Sequence, residues 1–285
     1  MRGGGRGVIG TASMISLDTS PAEELGAPAA PAAEADPFGL DLAFRERVTP
    51  AFRFLHDRYW RIEVSGAHHL PRDGAALLVA NHSGALPFDG AMICTSVDLH
   101  RGRVLRFLYD RFVEGLGPVA TFYRKVGGAP ATRENASRLL QAGEMLLIFP
   151  EGVSGVAKPF TERYRLRAFS PGFVRLALAL DVPIVPVAVV GAEEIYPLVG
   201  RAEGMGRLFG VPYVPVTPFF PILGILGALP LPTKWYIRFG RPLRVRAADG
   251  EARWLRARIE AALVRRRIQS MVVRLKRRRR SVFFG

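Results

Sequence analysis

The spacing of hydrophobic and polar residues changes character along the chain. From Leu40 to Tyr59 the apolar residues Phe44, Val48, Phe52, Leu55 and Tyr59 recur at helical steps, and Arg45, Arg47, Arg53 and Arg58 occupy the remaining surface. That spacing predicts an amphipathic helix kinked at Pro50. Short apolar runs come next. Ala75–Ala80, Val104–Tyr109 and Met145–Phe149 read as buried strands, Val182–Val190 as a strand rich in β-branched residues, and Trp235–Phe239 as a late strand ended by Gly240 and Pro242. Helical stretches fall between them: Thr132 caps one that runs to Ala142, ahead of Gly143, and Phe173–Leu180 forms another. Strand, helix, strand repeats predict an α/β fold with a single, largely parallel central sheet flanked by helices. In such a sheet, sites form at the carboxyl ends of the strands.

The two ends read differently. Residues 1–37 start rich in Gly and Arg, then turn to Ala, Pro and acidic residues without sustained apolar periodicity, and are expected to be disordered. Val8 to Leu17 is interrupted by Gly, Thr and Ser, so no secretory signal peptide is expected. Residues 38–250 make the domain. In 251–285 the apolar residues Trp254, Leu255, Ile259, Leu263, Ile268, Met271, Val272 and Leu275 mark a second amphipathic helix, which suits either its own core or an anionic bilayer. The run Lys276 to Arg280 reads as an anion-seeking tail. Between Leu208 and Thr233 no side chain is charged, but prolines 212, 215, 218, 221, 230 and 232 break any spanning helix. That stretch is expected to be an irregular apolar loop lining a lipid groove or dipping into the membrane interface.

Charge sharpens this picture. Forty Lys and Arg against 25 Asp and Glu give a net +15, and ten of those charges lie in 251–280, where twelve basic residues face two acidic ones. An excess of this size seeks an anion such as a phospholipid surface, a phosphorylated substrate or nucleic acid. The single cysteine, Cys94, excludes an intramolecular disulfide and the ligand cluster of a zinc ribbon, and fits a reducing compartment.

Candidate chemistry gathers at strand ends. Asn81-His82-Ser83-Gly84-Ala85-Leu86-Pro87-Phe88-Asp89 comes after the first strand and puts an imidazole and a carboxylate either side of a turn, the makings of a general-base dyad. Phe149-Pro150-Glu151-Gly152 ends the third strand on the same edge, and Arg124 to Arg133 offers guanidinium and backbone donors suited to phosphate. Taken in order, these blocks over residues 60–245 resemble the glycerolipid acyltransferase family, which includes lysophospholipid and 1-acylglycerol-3-phosphate acyltransferases. Asn81-His82 to Asp89 resembles its histidine–aspartate motif, Gly127 to Arg133 falls where its acceptor-binding block lies, and Phe149 to Gly152 matches its third motif. Val182-Pro183-Ile184-Val185-Pro186-Val187 resembles the fourth.

The resemblance implies that His82 deprotonates the acceptor hydroxyl, Asp89 orients the imidazole, and Glu151 and Gly152 help to hold the acceptor, with Arg133 or Arg124 as the acceptor-binding arginine. It implies an acyl thioester, acyl-CoA or acyl-ACP, as co-substrate, no cofactor or metal, and a lysolipid or acylglycerol as acceptor. The place of work would be the cytoplasmic face of a membrane, peripheral or monotopic. Six residues separate His82 from Asp89 where most of the family has four, which is nearer the monoacylglycerol and diacylglycerol acyltransferase-like branch. Two other classes stand beside this one. A serine hydrolase would use Ser83 or Ser154, although neither sits in a full G-x-S-x-G elbow, and a nucleic-acid-binding protein would use the basic C-terminus.

Overall fold

An apolar run without a polar position must be covered on both faces, and the computed structural model buries β2 (Ala76–Ala80) at every residue. The structure describes residues 36–82, 86–152, 158–197, 200–202, 214–218, 229–245 and 252–285, with single positions 155, 204, 222 and 224. Within the segment expected to be disordered, the Asp36 carboxylate accepts hydrogen bonds from the buried guanidinium of Arg106 at 2.6 and 3.1 Å. Residues 1–35, the serines 83 and 154, and most of the proline-rich stretch 208–228 lie outside the described residues.

Chain order among the described residues is α1 (Leu42–Phe54), β1 (Glu63–Ser65), β2, α2 (Phe88–Arg101), β3 (Leu105–Tyr109), α3 (Gly117–Lys125), β4 (Gly128–Pro130), α4 (Arg133–Gln141) and β5 (Met145–Ile148). Then come α5 (Gly172–Leu180), β6 (Ile184–Val190), β7 (Gly200–Ala202), β8 (Val214–Val216), β9 (Tyr236–Phe239) and α6 (Ala252–Arg278). Seven strands form one sheet in the order β1-β9-β6-β2-β5-β3-β4, and β7 pairs with β8 separately. Every pairing in the large sheet is parallel except β6 with β9. The five strands read from sequence are present; β1 and β4, three residues each, are too short to give a periodic signal.

Alternation along β2 divides the core. Leu77 and Val79 face α4, α5 and α6, joining Leu139, Val174, Ile268 and Val272. Ala76, Leu78 and Ala80 face α2 and the stacked Trp60–Trp235 pair, whose ring centroids are 4.6 Å apart. Pro50 does not end α1, which continues to Phe54 and then widens into a π-turn, Leu55–Tyr59.

The C-terminal helix departs from the expected single stripe. Ile268, Met271, Val272 and Leu275 are buried, but the inward positions before them are the small or branched Ala257, Ala261 and Val264, which let the helix approach the sheet. Trp254, Leu255, Ile259 and Leu263 are exposed instead. The basic tail is also partly structural. The Arg279 guanidinium is buried against the Glu194 carboxylate and the Tyr164 hydroxyl, Lys276 lies over the Tyr164 ring, and the Val282 carbonyl accepts the Lys234 N–H at 2.8 Å. A buried carboxylate needs a cation beside it, and the chain end supplies one.

Candidate active site

The site begins where β2 stops. Asn81, fully buried, pairs with the backbone of β6 just beyond the strand's end: its amide donates to the Val189 carbonyl at 3.1 Å and its oxygen accepts the Val189 N–H at 2.9 Å. The side chain thus continues the ladder for one step while the main chain of β2 leaves the sheet. His82 comes next at the carboxyl edge, with its side chain 16% exposed.

Asp89 reaches the same place from the first turn of α2, where the helix's positive end favours a carboxylate. It is completely buried, and its Oδ2 accepts the His82 Nδ1 proton at 2.8 Å while Oδ1 accepts the Gly90 N–H at 2.8 Å. With Nδ1 donating, the neutral ring carries its lone pair on Nε2. The Phe149 ring stacks on the imidazole, centroids 4.1 Å apart and planes 19° from parallel, so rotation of the histidine is blocked from one face.

Glu151, which the resemblance assigns to holding the acceptor, is engaged by groups of the protein itself. Its carboxylate is buried, with Oε1 accepting the His82 main-chain N–H at 3.1 Å and Oε2 accepting the Arg167 N–H at 2.7 Å. Its oxygens hold the protein, including the backbone of the histidine, rather than facing open space. Behind it stands a charge cluster that sequence reasoning did not identify. Lys158 Nζ is 3.5 Å from Glu151 and 2.9 Å from Glu193 Oε1, and Glu193 Oε2 accepts the Tyr164 N–H. Burial raises the Glu193 carboxyl above its usual range, and the Lys158 ammonium opposes that rise. Lys158 and Glu193 are 35 residues apart in sequence, and no local pattern links them. Gly155 closes the arrangement: a Cβ there would stand 2.8 Å from the Glu151 Cβ and 3.0 Å from that of His82, so only glycine permits this approach. Gly152, exposed in the turn after β5, has φ of +57°, the other position where the turn itself calls for glycine.

The two candidate arginines differ. Arg124 is tied to Glu114 at 2.8 Å, and Glu114 also accepts the Tyr109 hydroxyl. Arg133, at the start of α4, is exposed and has no ion-pair or hydrogen-bond partner among the described residues. It lies on the same edge as His82 but three strands away, about 14 Å at ordinary strand spacing. Among the described residues no group of three or more His, Cys, Asp or Glu is placed to hold a metal ion. Burial pushes the Cys94 thiol up to about 12, which keeps it protonated and unreactive near neutral pH.

Residues 61–190 match the family model described as Acyltransferase. Over 88% of its length the chain is 43% identical to an uncharacterized protein of Mycobacterium tuberculosis, covering 72% of that protein, and 44% identical to one of Mycobacterium leprae, covering 70%. It is also 28% identical, over 64% of its length and 54% of the relative's, to the human DGAT1/2-independent enzyme synthesizing storage lipids. Among solved structures, the 1-acyl-sn-glycerophosphate (LPA) acyltransferase PlsC of Thermotoga maritima superposes with a TM-score of 0.54 at 19% identity, over 82% of this chain and 79% of that one; at that identity the likeness speaks for the fold.

Proposed function

The chain belongs to the acyltransferase family of enzymes, and from that premise we propose that it moves a fatty acyl group from a thioester, acyl-CoA or acyl-ACP, to a hydroxyl of a lysophospholipid or acylglycerol. One observation carries the reading: a histidine at the carboxyl edge of a parallel sheet, its Nδ1 held at 2.8 Å by a buried aspartate and its Nε2 left as the acceptor.

In the reaction, Nε2 of His82 takes the proton of the acceptor hydroxyl as that oxygen attacks the thioester carbonyl carbon. The tetrahedral intermediate collapses, the C–S bond breaks, and the proton on Nε2 passes to the departing thiolate, giving ester and free thiol. Asp89 keeps the ring in the useful tautomer and stabilises the imidazolium between the two steps. The substrate hydroxyl is itself the nucleophile, so no acyl-enzyme forms; the protonated Cys94 thiol agrees with that. Glu151 acts by fixing the His82 backbone, and Arg133 is the side chain offered to a phosphate on the acceptor. Neither metal nor cofactor enters these steps. The place of action is the surface of a membrane, on its cytoplasmic face. No helix among the described residues is long and apolar enough to cross a membrane.

The test is thiol release from a labelled acyl thioester with mixed lysolipids and acylglycerols, the products identified by mass spectrometry. His82→Ala lowers turnover at least about a hundredfold while circular dichroism stays unchanged. Near-full activity in that variant would overturn the mechanism.

A further inference from the structure

Helix α6 is apolar on two sides. Ala257, Ala261, Val264 and Ile268 pack on the sheet. On the far side Leu255, Ile259 and Leu263 recur every four residues, with 55%, 45% and 49% of their surface in water. At roughly 100° per residue this row stands opposite the buried one, and it runs about 12 Å along the axis. A single exposed leucine is ordinary, whereas a continuous row on one helix needs a reason.

The surroundings of the row identify its occupant. The Arg258 guanidinium lies over the Trp254 ring at 4.7 Å, and Arg266 and Arg267, both exposed, have no acidic partner among the described residues. The one acidic residue on the described helix, Glu260, is taken by Arg256 at 2.8 Å, and no acidic residue comes after it to the end of the chain. Next to the row, a groove of 670 Å³ opens between Phe169, Pro171, Trp254 and Ala262, with Arg258 and Arg265 on its wall. An apolar ridge edged by unpaired arginines matches the boundary between acyl chains and phosphate headgroups. A second copy on the same face would set two strongly basic helices against each other, which charge repulsion opposes.

We propose that the outer face of α6 docks the protein on an anionic phospholipid bilayer, with Leu255, Ile259 and Leu263 entering the acyl boundary and Arg258, Arg266 and Arg267 on lipid phosphates. This deepens the reading that the substrate is a lipid and rests on it. The helix serves the core with one face and the membrane with the other, so docking requires no unfolding of the domain.

The experiment is co-sedimentation of the full chain with phosphatidylglycerol-containing vesicles and with pure phosphatidylcholine vesicles, alongside thiol release with a short-chain, water-soluble acceptor. Wild type binds the anionic vesicles more tightly, and added salt weakens that binding. Leu255→Ser/Ile259→Ser/Leu263→Ser lowers the partition coefficient at least about tenfold, and Arg266→Gln/Arg267→Gln lowers it about tenfold on anionic vesicles only. Both variants keep wild-type circular dichroism and turnover of the soluble acceptor. Equal binding by wild type and the triple-serine variant overturns the docking face, and so does a concentration-dependent dimer that the same variant abolishes. Absence of soluble-acceptor turnover in wild type would instead count against the acyltransfer reading and leave the vesicle result to stand alone.

Discussion

The edge of the sheet around His82 and the outer face of α6 are both rich in charge, yet they treat it in opposite ways. Around His82, Asp89, Glu151, Lys158 and Glu193 are buried and each has its partner built in, from 2.8 Å between His82 and Asp89 to 3.5 Å between Lys158 and Glu151. On α6, Arg266 and Arg267 stand in water without a partner from the described chain. Removing a charge from water costs several kcal/mol per ion unless geometry and hydrogen bonds offset it, so a buried pair fixes a shape. An exposed arginine costs almost nothing to the fold and remains available to something outside it. The first region has the rigidity that chemistry needs, and the second has attraction to offer a partner.

Substitutions that remove one member of a pair test this contrast most directly. The largest effect is expected from Asp89→Asn, which keeps the side chain's volume but lets the amide turn the imidazole to the wrong tautomer; turnover falls about a thousandfold, measured by thiol release at saturating substrate. A loss under tenfold would mean that the pair is structural.

Next comes Lys158→Met. It strands Glu193 and Glu151 without their cation and costs about 3–5 kcal/mol of stability by denaturant unfolding, with turnover lowered through the loosened His82 backbone. Lys158→Met/Glu193→Gln removes both charges and recovers much of that stability. Arg266→Gln, the counterpart on α6, changes stability by less than about 0.5 kcal/mol. If Lys158→Met were as mild as Arg266→Gln, the division between the two regions would fail.

The smallest effect concerns a buried histidine on the other side of the sheet. Burial holds His56 below its ordinary value of 6.5, and the neighbouring Asp57 carboxylate opposes that shift. The unfolded chain therefore binds this proton more readily than the folded one, so the stability from a neutral His56 is present above about pH 6.5 and is lost as the pH falls. His56→Gln can keep the contact to Ser96 made by Nε2 at 3.0 Å. It should show a shallower fall in Tm than wild type between about pH 7.5 and about pH 5.5. An unchanged slope would remove His56 from the acid response.

The parts of the site differed in how far sequence revealed them. His82, Asp89 and Glu151 stood out because they come after runs of buried strand residues, and the strands of a parallel sheet deliver the residues beyond their carboxyl ends to one edge. Thr132 was visible as a cap because the capping hydrogen bond, to the Asn135 N–H at 3.1 Å, is local. Lys158, Glu193 and the Val189 partner of Asn81 were not visible, since each contact joins residues at least 35 positions apart. Nor did periodicity show which apolar residues of α6 face inward. Its eight large apolar residues read as one stripe, and the alanines that touch the sheet carried no signal.

Sequence alone determined the succession of strands and helices along the chain, the α/β class and the residue types at the sheet's edge, because periods of two and 3.6 and the residues next to turns are local properties. Tertiary structure decided that Glu151 grips the His82 backbone, that Arg279 is buried while Arg266 is not, and that α6 has a second apolar face. Those outcomes depend on which strand ends become neighbours and on how closely a helix can approach the sheet. Both are settled by packing and by the cost of burying an unpaired charge, which act on the whole folded chain at once.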